Sequence, residues 1–132
     1  MHVVAGVLVD GRGQILIAQR PAGKHLAGMW EFPGGKLEPG ETVMTALVRE
    51  LDEELGIAVD PSSCEALIHV PWRYDEREML LEAIVVRRWA GAPAALDAAA
   101  IAWHEPAAID PMLLAPADRP ILAELCRRSG YA

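Results

Sequence analysis

The sequence predicts an α/β fold in which a mixed sheet lies between helices. Three observations lead to this prediction: apolar strand-like segments occur in both halves of the chain, a long amphipathic helix spans residues 42–55, and a second helix lies near the C-terminus. Layers of helices on a sheet bury the apolar face of each element. The 132 residues are enough for one hydrophobic core, so we predict a single domain over residues 1–132.

The first strands are predicted from β-branched runs on either side of a turn. Residues 3–9 are apolar, the Asp-Gly-Arg-Gly sequence at residues 10–13 is typical of a turn, and residues 14–19 alternate Ile15 and Ile17 with smaller or polar side chains. We therefore expect these two strands to form a hairpin. Residues 21–25 are predicted as a loop, and residues 30–32 as a short extended segment before two glycines.

The central helix is predicted from apolar periodicity between a Pro-Gly turn and Gly56. Glu50, Glu53 and Glu54 stand at positions i, i+3 and i+4 of this helix, so their carboxylates share one face. The neighbouring stripe is apolar and is predicted to be buried; it consists of Met44, Leu47, Val48, Leu51 and Leu55.

The second half of the chain is predicted to supply further strands and a closing helix. Residues 65–70 and 79–89 are predicted as strands joined by residues 71–78. The alanine-rich residues 90–102 are predicted as a surface loop, with a short strand at residues 101–103. Residues 106–109 are predicted as one helical turn, and residues 116–120 open a helix through Arg128, with proline in its first turn and arginines in its last.

Charge and composition exclude several classes of function. The net charge is −7 and no basic run is present, which argues against a binder of duplex nucleic acid. Residues 3–9 are too short for a membrane span or a signal peptide. Cys64 and Cys126 match no metal-binding spacing, so we expect a reduced cytoplasmic protein. Whether it is a monomer or a homodimer stays open.

The crowding of acidic groups on the central helix indicates a bound cation. Like charges at this spacing repel one another by several kcal/mol at an effective dielectric constant of about 20. Arg49 can pair with Glu53 one turn later, but one arginine is not expected to balance the glutamates at positions 41, 50, 53 and 54. Mg²⁺ suits carboxylates that also hold substrate phosphates. The alternative is an acidic face exposed to solvent.

The spacing of residues around this helix resembles the signature of the Nudix hydrolases. It consists of Gly35, five residues, Glu41, seven residues, Arg49-Glu50-Leu51, one residue, Glu53-Glu54, one residue and Gly56-Ile57. Residues 18–35 are also similar to the MutT-like branch almost throughout. The resemblance implies an α/β/α sandwich and the hydrolysis of a nucleoside diphosphate linked to another group.

The resemblance also implies roles for residues of the helix and the glycine loop. Glu53 and Glu54 would be the main metal ligands, Glu50 a ligand or the general base, and the backbone carbonyl of Gly34 a further ligand. Arg49 would orient the glutamates through charge-assisted hydrogen bonds. The expected metal is Mg²⁺, with Mn²⁺ as an alternative.

Four other residues match positions of the family pattern, and each has two possible roles. Glu41 binds the metal or holds the loop, and Asp97, six residues before Trp103, is a further metal ligand or a solvated loop residue. Arg20 and Arg77 resemble the two arginines that hold substrate phosphate in the MutT-like branch, and either could instead be an ordinary surface arginine.

The candidates for binding the base come from three segments of the sequence. Phe32 packs on the base or belongs to the core, Tyr74 is a weaker candidate for the same role, and His25 is expected to be a solvated loop residue. Residues 114–120 resemble the L-x-P-A-N-x-P segment of MutT-like enzymes, with Asp118 in place of the base-reading asparagine. An ionised aspartate only accepts hydrogen bonds, which suits the N4 amino group of cytosine or the N7–H of 8-oxoguanine. The alternative is a helix cap.

These patterns together predict a Mg²⁺-dependent, MutT-like nucleoside triphosphate pyrophosphohydrolase. It would release a nucleoside monophosphate and pyrophosphate and clear 8-oxo-dGTP, CTP or modified dCTP from the nucleotide pool. Two alternatives remain: a Nudix hydrolase of another nucleoside diphosphate derivative, and a Nudix module that binds nucleotide without catalysis. No membrane or duplex nucleic acid is expected as a partner.

Overall fold

Residues 1–128 fold into three β-sheets and two α-helices. The structure is a computed structural model and describes residues 1–128. Four 3₁₀ turns occur at Pro61–Ser63, Pro106–Ala108, Pro111–Leu113 and Pro116–Asp118. The strands and helices, in chain order, are β1 His2–Leu8, β2 Ile15–Gln19, β3 Trp30–Glu31, β4 Gly34–Lys36, α1 Val43–Leu55, β5 Ala58–Val59, β6 Cys64–Tyr74, β7 Arg77–Val86, β8 Trp89–Ala90, β9 Ala100–His104 and α2 Arg119–Arg127.

The main sheet is mixed and lies between the two helices, which confirms the predicted fold class. Its strand order is β4-β1-β7-β6, with β1 parallel to β7 and antiparallel to β4. Alternate residues of β1 face opposite sides, since side chains along a strand alternate. Val4 and Leu8 join the cluster with Leu47 and Leu51 of α1, and Val7 joins the cluster that contains α2 residues. A three-stranded sheet, β3-β2-β9, and a short β5-β8 pair complete the fold.

The predicted hairpin of the first two strands is wrong. β1 belongs to the four-stranded sheet and β2 to the three-stranded sheet, and only an isolated bridge between Val9 and Ile15 joins their ends. The turn between them forms as expected, with the Asp10 carboxylate accepting the N–H groups of Arg12 and Gln14. Both edges of β1 are already paired with β4 and β7, so β2 has no free edge of that strand to join.

The hairpin of β6 and β7 is longer than predicted. Its ladder continues to the pair Tyr74–Arg77, so the segment expected to link the strands is mostly strand. Pro71 is accommodated because β6 is the edge strand of the sheet, where a missing backbone N–H is tolerated. The turn itself is Asp75 and Glu76, with Asp75 at a φ of 50°. The hairpin therefore projects well beyond the core.

Helix α1 begins and ends as the sequence predicts. Thr42 is the N-cap, its side chain accepting the Thr45 N–H, and Gly56 ends the helix with a φ of 70°. Gly6 of β1 allows the helix to approach closely, because a Cβ there would lie 2.9 Å from a Leu51 methyl carbon. The glutamate face is thereby held beside β4. Of the predicted apolar stripe, Leu47, Leu51 and Leu55 are buried, whereas Met44 and Val48 are partly buried.

The remaining predicted elements are present with small shifts. β9 contains the predicted short strand, Pro106–Ala108 forms the single helical turn, and the closing helix α2 follows a 3₁₀ turn at Pro116–Asp118. Among residues 1–128, no helix is long and apolar enough to cross a membrane.

Candidate active site

A cavity of about 980 Å³ opens between the glycine-rich strand β4, the loop after β2, the tip of the β6–β7 hairpin and the 3₁₀ turn before α2. It brings together seven of the residues selected from the sequence, which are Arg20, Phe32, Gly34, Glu54, Arg77, Asp97 and Asp118. Arg49, Glu50 and Glu53 do not line it; they lie on the adjoining part of α1. The cavity therefore has a helix end, beside α1, and an opposite end at Asp118.

One arginine organises three of the four glutamates beside the cavity. The Arg49 guanidinium donates to both Glu41 oxygens at 2.8 Å, to Glu50 Oε1 at 2.8 Å and to Glu53 Oε2 at 3.3 Å. These hydrogen bonds lower the pKa of Glu41 to about 2. Arg49 thus contacts three of the four glutamates, but its single positive charge does not balance their three negative charges. Since Glu41 also accepts the Glu38 N–H at 2.7 Å, the structure shows it holding the loop.

Glu50 packs against the backbone of the glycine loop. A Cβ on Gly35 would lie 2.6 Å from the Glu50 carboxylate carbon, closer than real contacts allow. Only 16% of the Glu50 side chain is exposed, and burial raises its pKa against the opposing effect of Arg49. A side chain at position 35 would therefore displace the Glu50 carboxylate from its present position.

Glu54 differs from the other glutamates because it faces the cavity without a partner for one oxygen. Glu54 Oε2 is buried and, within the described residues, has no hydrogen-bond partner. Burial raises the Glu54 pKa to about 8, and the negative charges of Glu50, Glu31 and Asp97 add to that rise. A hydrogen bond from the Gly34 backbone opposes it. An unpaired buried carboxylate is costly, so this position suits a cation.

Glu31 is a site residue that the sequence analysis missed. It lines the cavity, and its charge acts on both Glu54 and Asp118. The signal was a charged residue between Trp30 and Phe32 in a short extended segment, because a glutamate in such an apolar setting is unusual.

The carboxylate oxygens are suitable ligands for a hard divalent cation, but the side chains are not positioned to bind one shared ion. Residues 1–128 contain no group of three or more His, Cys, Asp or Glu side chains positioned to share a metal ion. Arg49 draws Glu50 and Glu53 to one side, while Glu54 points into the cavity. The atoms near Glu54 that could bind a metal are oxygens, which are the ligands that Mg²⁺ and Mn²⁺ prefer. The unpaired Glu54 oxygen is the observation that favours a cation here.

Asp118 occupies the opposite end of the cavity and is not a helix cap. Although it precedes α2, its side chain makes no capping hydrogen bond. Its Oδ2 instead accepts the Phe32 N–H at 2.8 Å, which joins two segments 86 residues apart. Only 8% of Asp118 is exposed, and burial raises its pKa to about 7. The Phe32 ring, 3% exposed, belongs to the core, so its predicted core alternative is confirmed.

The two candidate phosphate-binding arginines both line the cavity, but they differ in their contacts and exposure. Arg20 Nη1 donates to both oxygens of Glu31 at 3.0 and 3.2 Å, and its Nε donates to the His25 carbonyl at 2.6 Å. Arg77 is exposed at the start of β7. Asp97 is an exposed loop residue whose charge still raises the Glu54 pKa, so it lies close enough to act on the site.

Comparison with known proteins agrees with this geometry. A family profile described as a NUDIX domain matches residues 4–124. The CTP pyrophosphohydrolase of Escherichia coli (strain K12) is 40% identical over 127 residues, covering 92% of this chain and 89% of that protein. The 8-oxo-dGTP diphosphatase of the same strain is 32% identical over 127 residues, covering 96% of this chain and 97% of that protein.

A solved structure shares both sequence and fold with the chain. The solution structure of the E. coli ORF135 protein superposes with a TM-score of 0.83 at 39% identity, covering 96% of this chain and 88% of that one. Nudix hydrolases are in general dependent on divalent metals, which agrees with the unpaired Glu54 oxygen. The chain belongs to the Nudix family and is a MutT-like member of it.

Proposed function

We propose that this protein is a Mg²⁺-dependent nucleoside triphosphate pyrophosphohydrolase that releases a nucleoside monophosphate and pyrophosphate. The observation that carries the proposal is a single cavity that unites the unpaired carboxylate of Glu54, the arginine Arg20 and the buried carboxyl of Asp118. The substrate class is supported by the names of the two Escherichia coli relatives, a CTP pyrophosphohydrolase and an 8-oxo-dGTP diphosphatase. The biological role would be removal of unwanted nucleotides from the pool.

The helix end of the cavity would hold the metal and the triphosphate. Glu53, Glu54 and Glu50 would supply carboxylate oxygens, with the Gly34 carbonyl and Asp97 as further ligands. A divalent cation there neutralises phosphate charge and lowers the pKa of the attacking water. Two of these glutamates already have their orientation set by Arg49.

Binding of substrate phosphate would require Arg20 to exchange partners. Its guanidinium is paired with Glu31, whose own pKa is raised by burial. A phosphate offers the same planar guanidinium a stronger pair of acceptors. Arg77, exposed on the facing hairpin, would approach the phosphates from the other side of the cavity.

The opposite end would receive the base. Asp118 accepts one hydrogen bond from Phe32, which leaves its other oxygen free to meet a base edge. Because the pKa of Asp118 is about 7, the carboxyl is close to half protonated at neutral pH. The ionised form accepts from the N4 amino group of cytosine, and the protonated form can also donate to O6 of 8-oxoguanine. Both base classes therefore stay in the proposal.

The proposal includes one domain over residues 1–132 that acts in the cytoplasm as a monomer or homodimer. Its test is turnover of 8-oxo-dGTP, dGTP, dCTP, CTP and 5-substituted dCTP by the pure protein with Mg²⁺ or Mn²⁺. We expect 8-oxo-dGTP or a cytidine nucleotide to be favoured, with equimolar monophosphate and pyrophosphate as products. No turnover of any triphosphate would refute the proposal.

A matched pair of variants separates this activity from contamination. Glu53→Gln should abolish most turnover, whereas Asp52→Asn changes an exposed carboxylate on the same helix and should retain it. Equal rates for wild type and Glu53→Gln would instead favour a nucleotide-binding module or a contaminating enzyme.

A further inference from the structure

The aromatic face expected beside the base is not supplied by Phe32. Its ring is 3% exposed and packs in the core cluster with Ile17 and Ile121, so little of either ring face is open to a ligand. The other aromatic side chains among the described residues lining the cavity are those of Tyr74 and His25. A base entering this cavity would therefore meet a different aromatic surface.

The position of Tyr74 follows from the register of the β6–β7 hairpin. Tyr74 is the last residue of β6, opposite Arg77. Side chains two residues apart on a strand share a face, so Tyr74 continues the row of Val70 and Trp72. That row packs against the cluster that contains α2 residues and Phe32. Tyr74 continues this row to the end of the strand, where it lines the cavity.

His25, in the loop between β2 and β3, contacts the Tyr74 ring. The two rings meet edge to face, with centroids 6.0 Å apart and planes at 82°. Edge-to-face pairs of this kind are a favoured arrangement of aromatic rings. The backbone carbonyl of His25 also accepts from Arg20, so the loop that carries His25 is tied to the site. The contact joins the β2–β3 loop to the hairpin tip.

Tyr74 and Asp118 face the same space. Burial raises the pKa of the Tyr74 hydroxyl, and the charge of Asp118 is the next largest cause. The phenol is therefore neutral at physiological pH, and the half-buried side chain keeps part of its surface open to the cavity. A neutral ring near a carboxyl that can bind a base edge is a suitable stacking surface for a nucleobase.

We propose that Tyr74 supplies the face on which the nucleobase of the substrate stacks, while Asp118 contacts the edge of that base and His25 holds the Tyr74 ring in place. The inference rests on the proposed function, because it concerns the base of the nucleotide that the cavity would bind. It adds a substrate-contacting residue from the β6–β7 hairpin, and it assigns a binding role to a segment outside the glycine loop and the glutamate helix.

The test compares ligands with and without a base. Binding of dCMP, 8-oxo-dGMP and inorganic pyrophosphate is measured by calorimetry for wild type, Tyr74→Ala and Tyr74→Phe in the presence of Mg²⁺. Loss of base stacking should weaken the favoured monophosphate by about tenfold or more in Tyr74→Ala. Pyrophosphate affinity should be unchanged, and Tyr74→Phe should bind within about twofold of wild type because it keeps the ring. In turnover, Tyr74→Ala should raise KM more than it lowers kcat.

Arg73→Ala is the matched control, since Arg73 is 66% exposed, precedes Tyr74 on β6 and points to the other face of the strand. It should bind all three ligands as wild type does. Circular dichroism and thermal unfolding establish that each variant is folded, and Tyr74→Leu supplies a second non-aromatic variant if Tyr74→Ala is unstable.

The failure of this inference differs from failure of the proposed function. If wild type turns over triphosphates but Tyr74→Ala binds both monophosphates as tightly as wild type, stacking on Tyr74 is refuted. An equal loss in Tyr74→Phe and Tyr74→Ala would also overturn it, because the hydroxyl rather than the ring face would then be responsible. If wild type turns over no triphosphate, the proposed function itself fails.

Discussion

The two ends of the cavity are built in different ways. At the helix end, Glu50, Glu53 and Arg49 come from two consecutive turns of α1, and their contacts are local. At the opposite end, where we propose that the base binds, Asp118 contacts Phe32, 86 residues away in the sequence, and Tyr74 belongs to the separate β6–β7 hairpin. A short helical motif thus fixes Arg49, Glu50 and Glu53, whereas the proposed base contacts depend on how distant segments meet.

The ends also differ in how their carboxylates are compensated. Arg49 lowers the pKa of Glu41 to about 2, while burial raises the pKa of Glu54 to about 8 and that of Asp118 to about 7. Glu41, which pairs with Arg49, holds the loop, and the buried carboxyls of Glu54 and Asp118 line the cavity. Substitutions at each end should therefore affect different steps.

The largest effect is expected from Glu54→Gln. The change removes a buried carboxylate whose Oε2 has no hydrogen-bond partner among residues 1–128, so charge stabilisation of the phosphate should be lost. We expect kcat to fall by about 10²–10³ under saturating Mg²⁺, corresponding to several kcal/mol of transition-state stabilisation. Steady-state turnover of the favoured triphosphate measures this, with Asp52→Asn as the control. A decrease of less than about threefold would contradict a metal-binding role for Glu54.

Gly35→Ala should have the next largest effect. The added Cβ would lie 2.6 Å from the Glu50 carboxylate carbon, so Glu50 must move away from Arg49 and the loop. Displacing a group by about 1 Å can cost roughly 10²-fold in rate, and we expect kcat to fall about 10- to 100-fold with the fold intact.

Gly11→Ala is the matched control for this substitution, because a Cβ at Gly11 has no neighbour within 4 Å. Kinetics and circular dichroism are measured for both variants. Wild-type turnover by Gly35→Ala would show that the position of Glu50 against the loop is unimportant.

Asp118→Asn should change base preference by about tenfold. Asparagine keeps an acceptor for the Phe32 N–H and always offers donors, so it should favour 8-oxo-dGTP over dCTP relative to wild type. The ratio of kcat/KM for the two substrates is measured at pH 6 and pH 8. The wild-type ratio should vary with pH across the Asp118 pKa of about 7, and the variant ratio should vary less. Identical ratios in both proteins would remove Asp118 from base recognition.

The last effect is a pH-dependent change in stability rather than in turnover. Burial raises the Glu54 pKa from 4.5 to about 8 in the folded protein, so the folded state binds this proton more tightly than the unfolded state. Stability from this group is fully present below pH 4.5 and is lost as the pH rises through about 8. Glu54→Gln does not lose stability in this way, because a glutamine side chain does not ionise.

The stability difference is the free energy of unfolding of Glu54→Gln minus that of wild type. Without divalent metal, this difference should be about 1–3 kcal/mol larger at pH 8.5 than at pH 5, after allowance for partial exposure. Chemical unfolding at the two pH values in a chelating buffer measures this. A gain of the same size at both values would show that ionisation of Glu54 is not the cause.

The features that the sequence predicts well are those fixed by neighbouring residues. The bounds of α1, its Gly56 end and the Arg49–Glu53 pair all follow from helical spacing. The wrong hairpin and the missed Glu31 depend instead on which strands pair and which segments border the cavity. The Asp118–Phe32 hydrogen bond could not be predicted either, because no local pattern relates those residues.

The most direct test of this account is Mg²⁺ binding to the free protein. Calorimetric titration of Mg²⁺ should show saturable binding to wild type and to Asp52→Asn. In Glu54→Gln the affinity should be at least about tenfold weaker, since a neutral amide replaces a buried carboxylate oxygen that has no hydrogen-bond partner among residues 1–128. Equal Mg²⁺ affinity in wild type and Glu54→Gln would contradict the claim that this buried oxygen is where the cation binds.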